Sequence, residues 1–263
     1  MRIIRLLWAY RGFILSSVGR EFQLKYRNSL FGPSWVVINP VAMIVVYTII
    51  FSQVMRARLP GLDASFAYSI YLCSGILTWG LFSEITSRAQ TIFLENANLI
   101  KKINFPKICL PLVVVVNALM NFLIIFGIFL VFLILSGNFP GITILAMLPL
   151  LAILVTLAIG LGITLGLLNV FFRDVGQFFG IFLQFWFWLT PIVYPASVLP
   201  EAMRDHMWLN PMASLTVGFQ AALMARQWPD WNSLVYPTLL AVLFCMNGMR
   251  LFRKHARDMV DEL

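Results

Sequence analysis

Leu110-Pro111-Leu-Val-Val-Val-Val-Asn117-Ala-Leu-Met-Asn121-Phe-Leu-Ile-Ile-Phe-Gly-Ile-Phe-Leu-Val-Phe-Leu-Ile-Leu135 contains no charged residue and only two amides. A bilayer core about 30 Å thick needs about 20 apolar residues to be crossed as a helix. Lipid offers no partner to a backbone N–H or C=O, so such a run must close its hydrogen bonds internally, as a helix does. This stretch therefore spans a membrane, and five further runs share its character: 34–54, 66–86, 142–171, 176–194 and 233–252. The 142–171 run is long enough to tilt, or to begin with a broken turn at Pro149.

Composition agrees with that class. Of 263 residues, 60% are hydrophobic and 11% charged, against about 45–50% apolar and about 25% charged in a soluble domain. That excess of apolar surface has to face lipid. The net charge of +8 raises the question of nucleic acid, but its distribution answers a different one. Arg and Lys near residues 2–27, 88–107, 173 and 250–257 all fall on one side of a six-span arrangement, fifteen in number. The other side holds four: Arg56, Arg58, Arg204 and Arg226. Cytosolic loops carry the excess of Lys and Arg, which places both termini in the cytosol and needs no nucleic acid. With no internal repeat and no low-complexity tract, the expected fold is all-α: one transmembrane domain over 1–263.

Residues 1–30 have no cleavage site after a proper apolar core, so they do not read as a signal peptide. At 100° per residue, Arg2, Arg5, Ala9, Gly12, Ser16, Gly19 and Arg20 share one face, and Ile3, Leu7, Tyr10, Ile14 and Val18 the other. That pattern predicts an amphipathic helix lying in the membrane interface with its basic heads toward lipid phosphates; a short cytosolic helix packed on the spans fits the same spacing. Arg11 falls on the apolar side and must snorkel or pair.

Catalytic groups are missing from the spans. His206 and His255 lie outside them, Glu84 is near the cytosolic end of the second, and Asp174 is in a loop. No His/Glu metal site or Ser/His pair can be assembled there, and there is no G-x-x-x-x-G-K-[ST] phosphate loop. Cys73, Cys109 and Cys245 form neither a disulfide framework nor a metal-ligand spacing. Energised transport would have to draw on a partner. The connection at 87–108 is the informative one. Ile92, Phe93, Ala97, Leu99 and Ile100 have helical spacing, and Pro106 ends the segment. A short helix with Glu95 and Lys101–Lys102 suits docking of a soluble subunit; a solvated turn suits the same residues.

Four stretches, in order, resemble the ABC-type polysaccharide export permeases: Arg20-Glu21-Phe-Gln-Leu24-Lys25-Tyr26-Arg27 with Gly32-Pro-Ser-Trp35 and Asn39-Pro40; Asn96-Ala-Asn98-Leu99-Ile100-Lys101-Lys102-Ile103-Asn-Phe105-Pro106 with Leu110-Pro111; Asn169-Val-Phe-Phe-Arg173-Asp174; and Thr190-Pro191-Ile-Val-Tyr194-Pro195 with Leu209-Asn210-Pro211. The resemblance is nearest to permeases for lipid-linked O-antigen, with capsule and teichoic-acid permeases related. It implies a homodimer of six-helix subunits in the bacterial inner membrane, with two separate ATPase subunits that bind ATP and Mg. This chain would then hold no cofactor. It implies a coupling helix formed by Glu95, Asn96, Asn98, Leu99, Lys101 and Lys102, and short periplasmic half-helices over 195–231. Four prolines that break this last segment agree with that.

A polysaccharide shows apolar C–H faces and hydroxyl edges, which suit aromatic rings and amides. The fifth span is dense in rings, and Phe182, Phe185 and Trp186 are candidates for the substrate path, although rings facing lipid or packing between helices fit as well. Asn117 and Asn121, at i and i+4, share a face and are costly toward lipid; they either bond to a neighbouring helix or line the path. Ala158, Gly162 and Gly166 give the fourth span a flat face for close helix packing. A membrane-embedded lipid-linked-sugar enzyme is the reading from another class, and the absence of catalytic clusters argues against it.

Overall fold

The computed structural model describes residues 10–26, 32–47, 49, 66–102, 105–256 and 258–263. The regular elements among them are helical throughout: α1 (Arg11–Tyr26), α2 (Trp35–Tyr47), α3 (Ala67–Glu95), α4 (Ala97–Lys102), α5 (Cys109–Leu135), α6 (Met147–Phe171), α7 (Asp174–Trp188), α8 (Glu201–Arg204), α9 (Pro211–Gln220), α10 (Val235–His255) and α11 (Asp258–Glu262). Among the described residues, three stretches are long and apolar enough to cross a membrane by themselves: Cys109–Leu135, Gly141–Phe171 and Val235–His255.

The other expected spans differ in length from the runs that predicted them. α3 continues past 86 to Glu95 and carries Glu84 and Arg88 within it. α7 has 15 residues, about 22 Å of helix at 1.5 Å per residue, and an irregular segment follows it. Most of the described part of the first run is α2; residues 48 and 50–65 lie outside the described residues. Pro149 does not break the fourth run. A 3-10 turn over Gly141–Ala146 leads into α6 at Met147, which puts Pro149 in the first turn, where a missing N–H costs no helical hydrogen bond.

α6 is the centre of a three-helix slab, with α3 on one side and α10 on the other. Small residues set both contacts. A Cβ added at Gly162 would lie 2.6 Å from the Ala89 Cβ, and one at Gly166 would lie 2.5 Å from the Ala89 carbonyl oxygen. On the opposite face a Cβ at Gly160 would run into the Cys245 backbone, and one at Gly248 would lie 2.8 Å from the Gly160 oxygen. Ala158 is fully buried. The small face expected on this helix therefore packs, and glycines absent from that expectation make a second such face toward α10.

α1 lies along α5. Its Ile14 and Val18 are buried in a cluster with Cys109, Leu110, Val113 and Val114, while Gly12, Ser16, Gly19 and Arg20 are exposed. Arg2 and Arg5 lie outside the described residues.

Candidate functional site

Two ends of the helical body carry its polar chemistry. At the first, α3 stops at Glu95 because the Asn96 side chain donates from Nδ2 to the Ile92 carbonyl at 2.9 Å, beside its own backbone N–H at 3.2 Å. The chain turns, and Ile100 N–H to Asn96 C=O at 2.9 Å starts α4. Ile100 points into the core, Asn96 and Leu99 are half-buried, and Glu95, Asn98, Lys101 and Lys102 are exposed. The six residues expected to dock a partner thus sit together on one projecting turn. Phe105 is buried, and Lys107 donates from Nζ to the Ala256 carbonyl at 3.0 Å.

Farther along the slab, Glu21 of α1 accepts from Arg88 and, at 2.5 Å, from Asn117 Nδ2. Glu84 accepts from Asn121 Nδ2 at 2.8 Å and lies 3.7 Å from Arg88. Asn117 and Asn121 do share a face of α5, and both meet carboxylates of neighbouring helices. Sequence reasoning left Glu21, Glu84 and Arg88 without a role. The available signal was that three charges and two amides next to apolar runs have to find one another.

A third set of bonds joins α3, α6 and α7. Asn169 donates from Nδ2 to the Gln90 carbonyl at 3.0 Å and accepts from the Gly176 N–H at 3.0 Å. A side chain at Gly176 would meet that amide at 2.9 Å. The Asn169-to-Asp174 motif is thereby a clasp that sets where α7 begins.

At the second end, neutral side chains hold irregular backbone. Tyr71 Oη donates to the Pro191 and Tyr194 carbonyls (3.0 and 2.9 Å), Gln220 Nε2 donates to Pro191 at 3.1 Å, and Tyr68 donates to Val193. Asn210 caps α9 by accepting from Met212 N–H at 3.1 Å. It also accepts from the Trp186 indole at 2.8 Å and donates to Leu189 and Thr190, both at 3.1 Å. Pro211 at the first helical position completes that start. The segment expected to be broken holds 3-10 turns at Ala196–Val198 and Met207–Leu209, together with α8, α9 and a π-helical turn over Ala221–Ala225.

The aromatic candidates lie on α7. Phe182 and Phe185 are 42% and 66% exposed. Trp186 is half-buried, edge-on to Trp79 and Phe82 with centroids 6.1 and 5.2 Å away. A groove of about 1050 Å³ between α6, α7 and α10 is lined by Leu161, Phe178, Phe182, Trp186 and Phe244. A second, of about 1140 Å³, is lined by Phe182, Phe185, Tyr194, His206 and Asn210. Asn117 and Asn121 stand apart from both. Among the described residues no three His, Cys, Asp or Glu side chains could hold a metal.

Residues 13–224 match the ABC-2 type transporter family, and the chain belongs to it, as its four motifs led us to expect. Among its relatives is the O-antigen export system permease protein RfbA of Myxococcus xanthus, 29% identical over 265 residues and the full length of both chains. A protein of the same name from Klebsiella pneumoniae is 30% identical over 237 residues, 89% of this chain and 88% of that one. The polysialic acid transport protein KpsM of Escherichia coli is 21% identical over 245 residues, 92% of each.

Proposed function

We propose that this chain is the transmembrane permease of an ATP-driven exporter that moves a lipid-linked O-antigen-type polysaccharide from cytosol to periplasm across a bacterial inner membrane. The observation that carries this reading is the end-to-end match to a protein named as an O-antigen export permease. Two copies of the chain form the path, each crossing the membrane six times with both termini in the cytosol, as the fifteen-to-four division of Lys and Arg supports. Two ATPase subunits bind ATP and Mg, and each receives α4 through Glu95, Asn96, Asn98, Leu99, Lys101 and Lys102. The exposure of four of these on one projecting turn supports that role.

The rings of Phe182, Phe185 and Trp186 offer faces to the C–H surfaces of sugars, with Asn117 and Asn121 contributing polar contacts in the assembled dimer. Weak, repeated contacts suit a moving polymer, because a single tight site would stall it. Residues 195–231 form the periplasmic end, where the broken helices re-enter.

The test is reconstitution in vesicles with the ATPase subunit. Polysaccharide should move only with ATP and only with both proteins present. Turnover of a lipid-linked sugar by this chain alone would instead make it an enzyme. Topology gives a separate check: Lys101→Cys should resist an impermeant thiol reagent in intact spheroplasts, whereas Arg204→Cys should react.

A further inference from the structure

α4 is joined to α3 by a single turn at Asn96, which by itself would leave it free to pivot. Two further contacts lie on the other side, one made by the connection that follows α4 and one by α11. Lys107 places its ammonium on the carbonyl of Ala256, the residue that ends α10; a cation there satisfies an open carbonyl and opposes the negative end of the helix dipole. α11 then turns back against α4 and α6. Its Met259 is fully buried, in one cluster with Ile100 of α4 and with Phe105. Burial lowers the Lys107 pKa while the charge of the Asp261 carboxylate opposes that shift, so the ammonium on the Ala256 carbonyl is partly desolvated.

These contacts close a ring. α3 continues into α4; α4 meets α11, where Met259 is buried; Lys107, between α4 and α5, binds the end of α10; α10 packs on α6 at Gly160; and α6 packs on α3 at Gly162 and Gly166. A ring of close-packed helices transmits displacement, because packed interiors deform little.

We infer that Lys107 and Met259 form a brace that makes α4 move as one body with α10, so that a push on α4 reaches α6 and α10 as well as α3. Lys107 and Met259 are positioning residues: they act through α4 and do not touch the partner. The inference rests on the docking of the ATPase at α4 proposed above.

The test uses the permease–ATPase complex with the three native cysteines replaced and one cysteine introduced by Ile100→Cys. Lys107→Met should raise the maleimide labelling rate at that site at least about tenfold, the lower weight of one charge-assisted hydrogen bond. Polysaccharide moved per ATP should fall while the two subunits still co-purify. Lys107→Arg, which keeps a donor, should restore both. Met259→Ala should repeat the Lys107→Met result, and Lys107→Met decides the matter if Met259→Ala fails to fold. Unchanged labelling, or raised labelling with unchanged transport per ATP, overturns the brace. If Leu99→Asp left coupling intact, the docking reading would fall, while the labelling result would still report on the joint.

Discussion

The two ends of the slab solve the same problem, holding non-helical backbone in place, with different chemistry. Around α4 the groups are charged: Lys107 on the end of α10, Lys101 and Lys102 outside, Asp258 and Asp261 on α11. At the far end the work falls to Tyr68, Tyr71, Gln220 and Asn210, all neutral, bonding mostly to main-chain carbonyls of 189–194. Neutral donors fix a turn at little desolvation cost, whereas buried charges demand paired partners. The far end is thus a fixed frame beneath the broken helices. The α4 end places exposed charge where a second protein can use it.

Breaking the slab should damage both ends at once, and this is the largest effect expected. Gly166→Leu pushes a side chain into the Ala89 backbone and should cost about 3 kcal/mol, seen as a lower melting temperature in detergent. Gly127→Leu is the control, because nothing lies within 4 Å of a Cβ there. Equal stability of the two variants would refute the close-packed slab. Asn210→Ala should be smaller and confined to the far end. It removes a cap and leaves the Trp186 indole without its acceptor, about 2 kcal/mol together. Hydrogen exchange should rise over 189–220 and stay unchanged over 96–107; a rise at both would mean the ends are not independent. Smallest in stability is Phe182→Ala with Phe185→Ala. These rings are exposed, so melting should move little, yet export should slow by roughly fivefold to 150-fold if each of the two rings contributes roughly 0.5–1.5 kcal/mol. Normal export would assign them to lipid.

Much of this was legible in the sequence because apolar length dictates a spanning helix without reference to anything else. Cys109–Leu135, Gly141–Phe171 and Val235–His255 are such cases. α3 was legible only in part. Its second half carries Glu84 and Arg88, and it stays helical because those charges pair across to Asn121 and Glu21, residues 37 and 67 positions away. Periodicity showed that Asn117 and Asn121 share a face and need partners, but it cannot say which helix supplies them. The Asn210-Pro211 start of α9 could have been read directly as a cap followed by a first-turn proline. The indole it accepts, 24 residues earlier, could not, since that contact exists only once α7 and α9 are folded together. The second glycine face of α6 is hidden for a like reason: Gly160 has meaning only against Cys245 and Gly248.

The central claim is that the charged end meets an ATPase through α4, and Glu95→Arg combined with Leu99→Asp tests it most directly. Both positions face outward or are only half-buried, so the slab should fold and melt as before. In vesicles containing the variant and the ATPase subunit, ATP-dependent polysaccharide movement should be lost, and less ATPase should co-purify. A variant that bound its full complement of ATPase and exported at the unmodified rate would contradict the account.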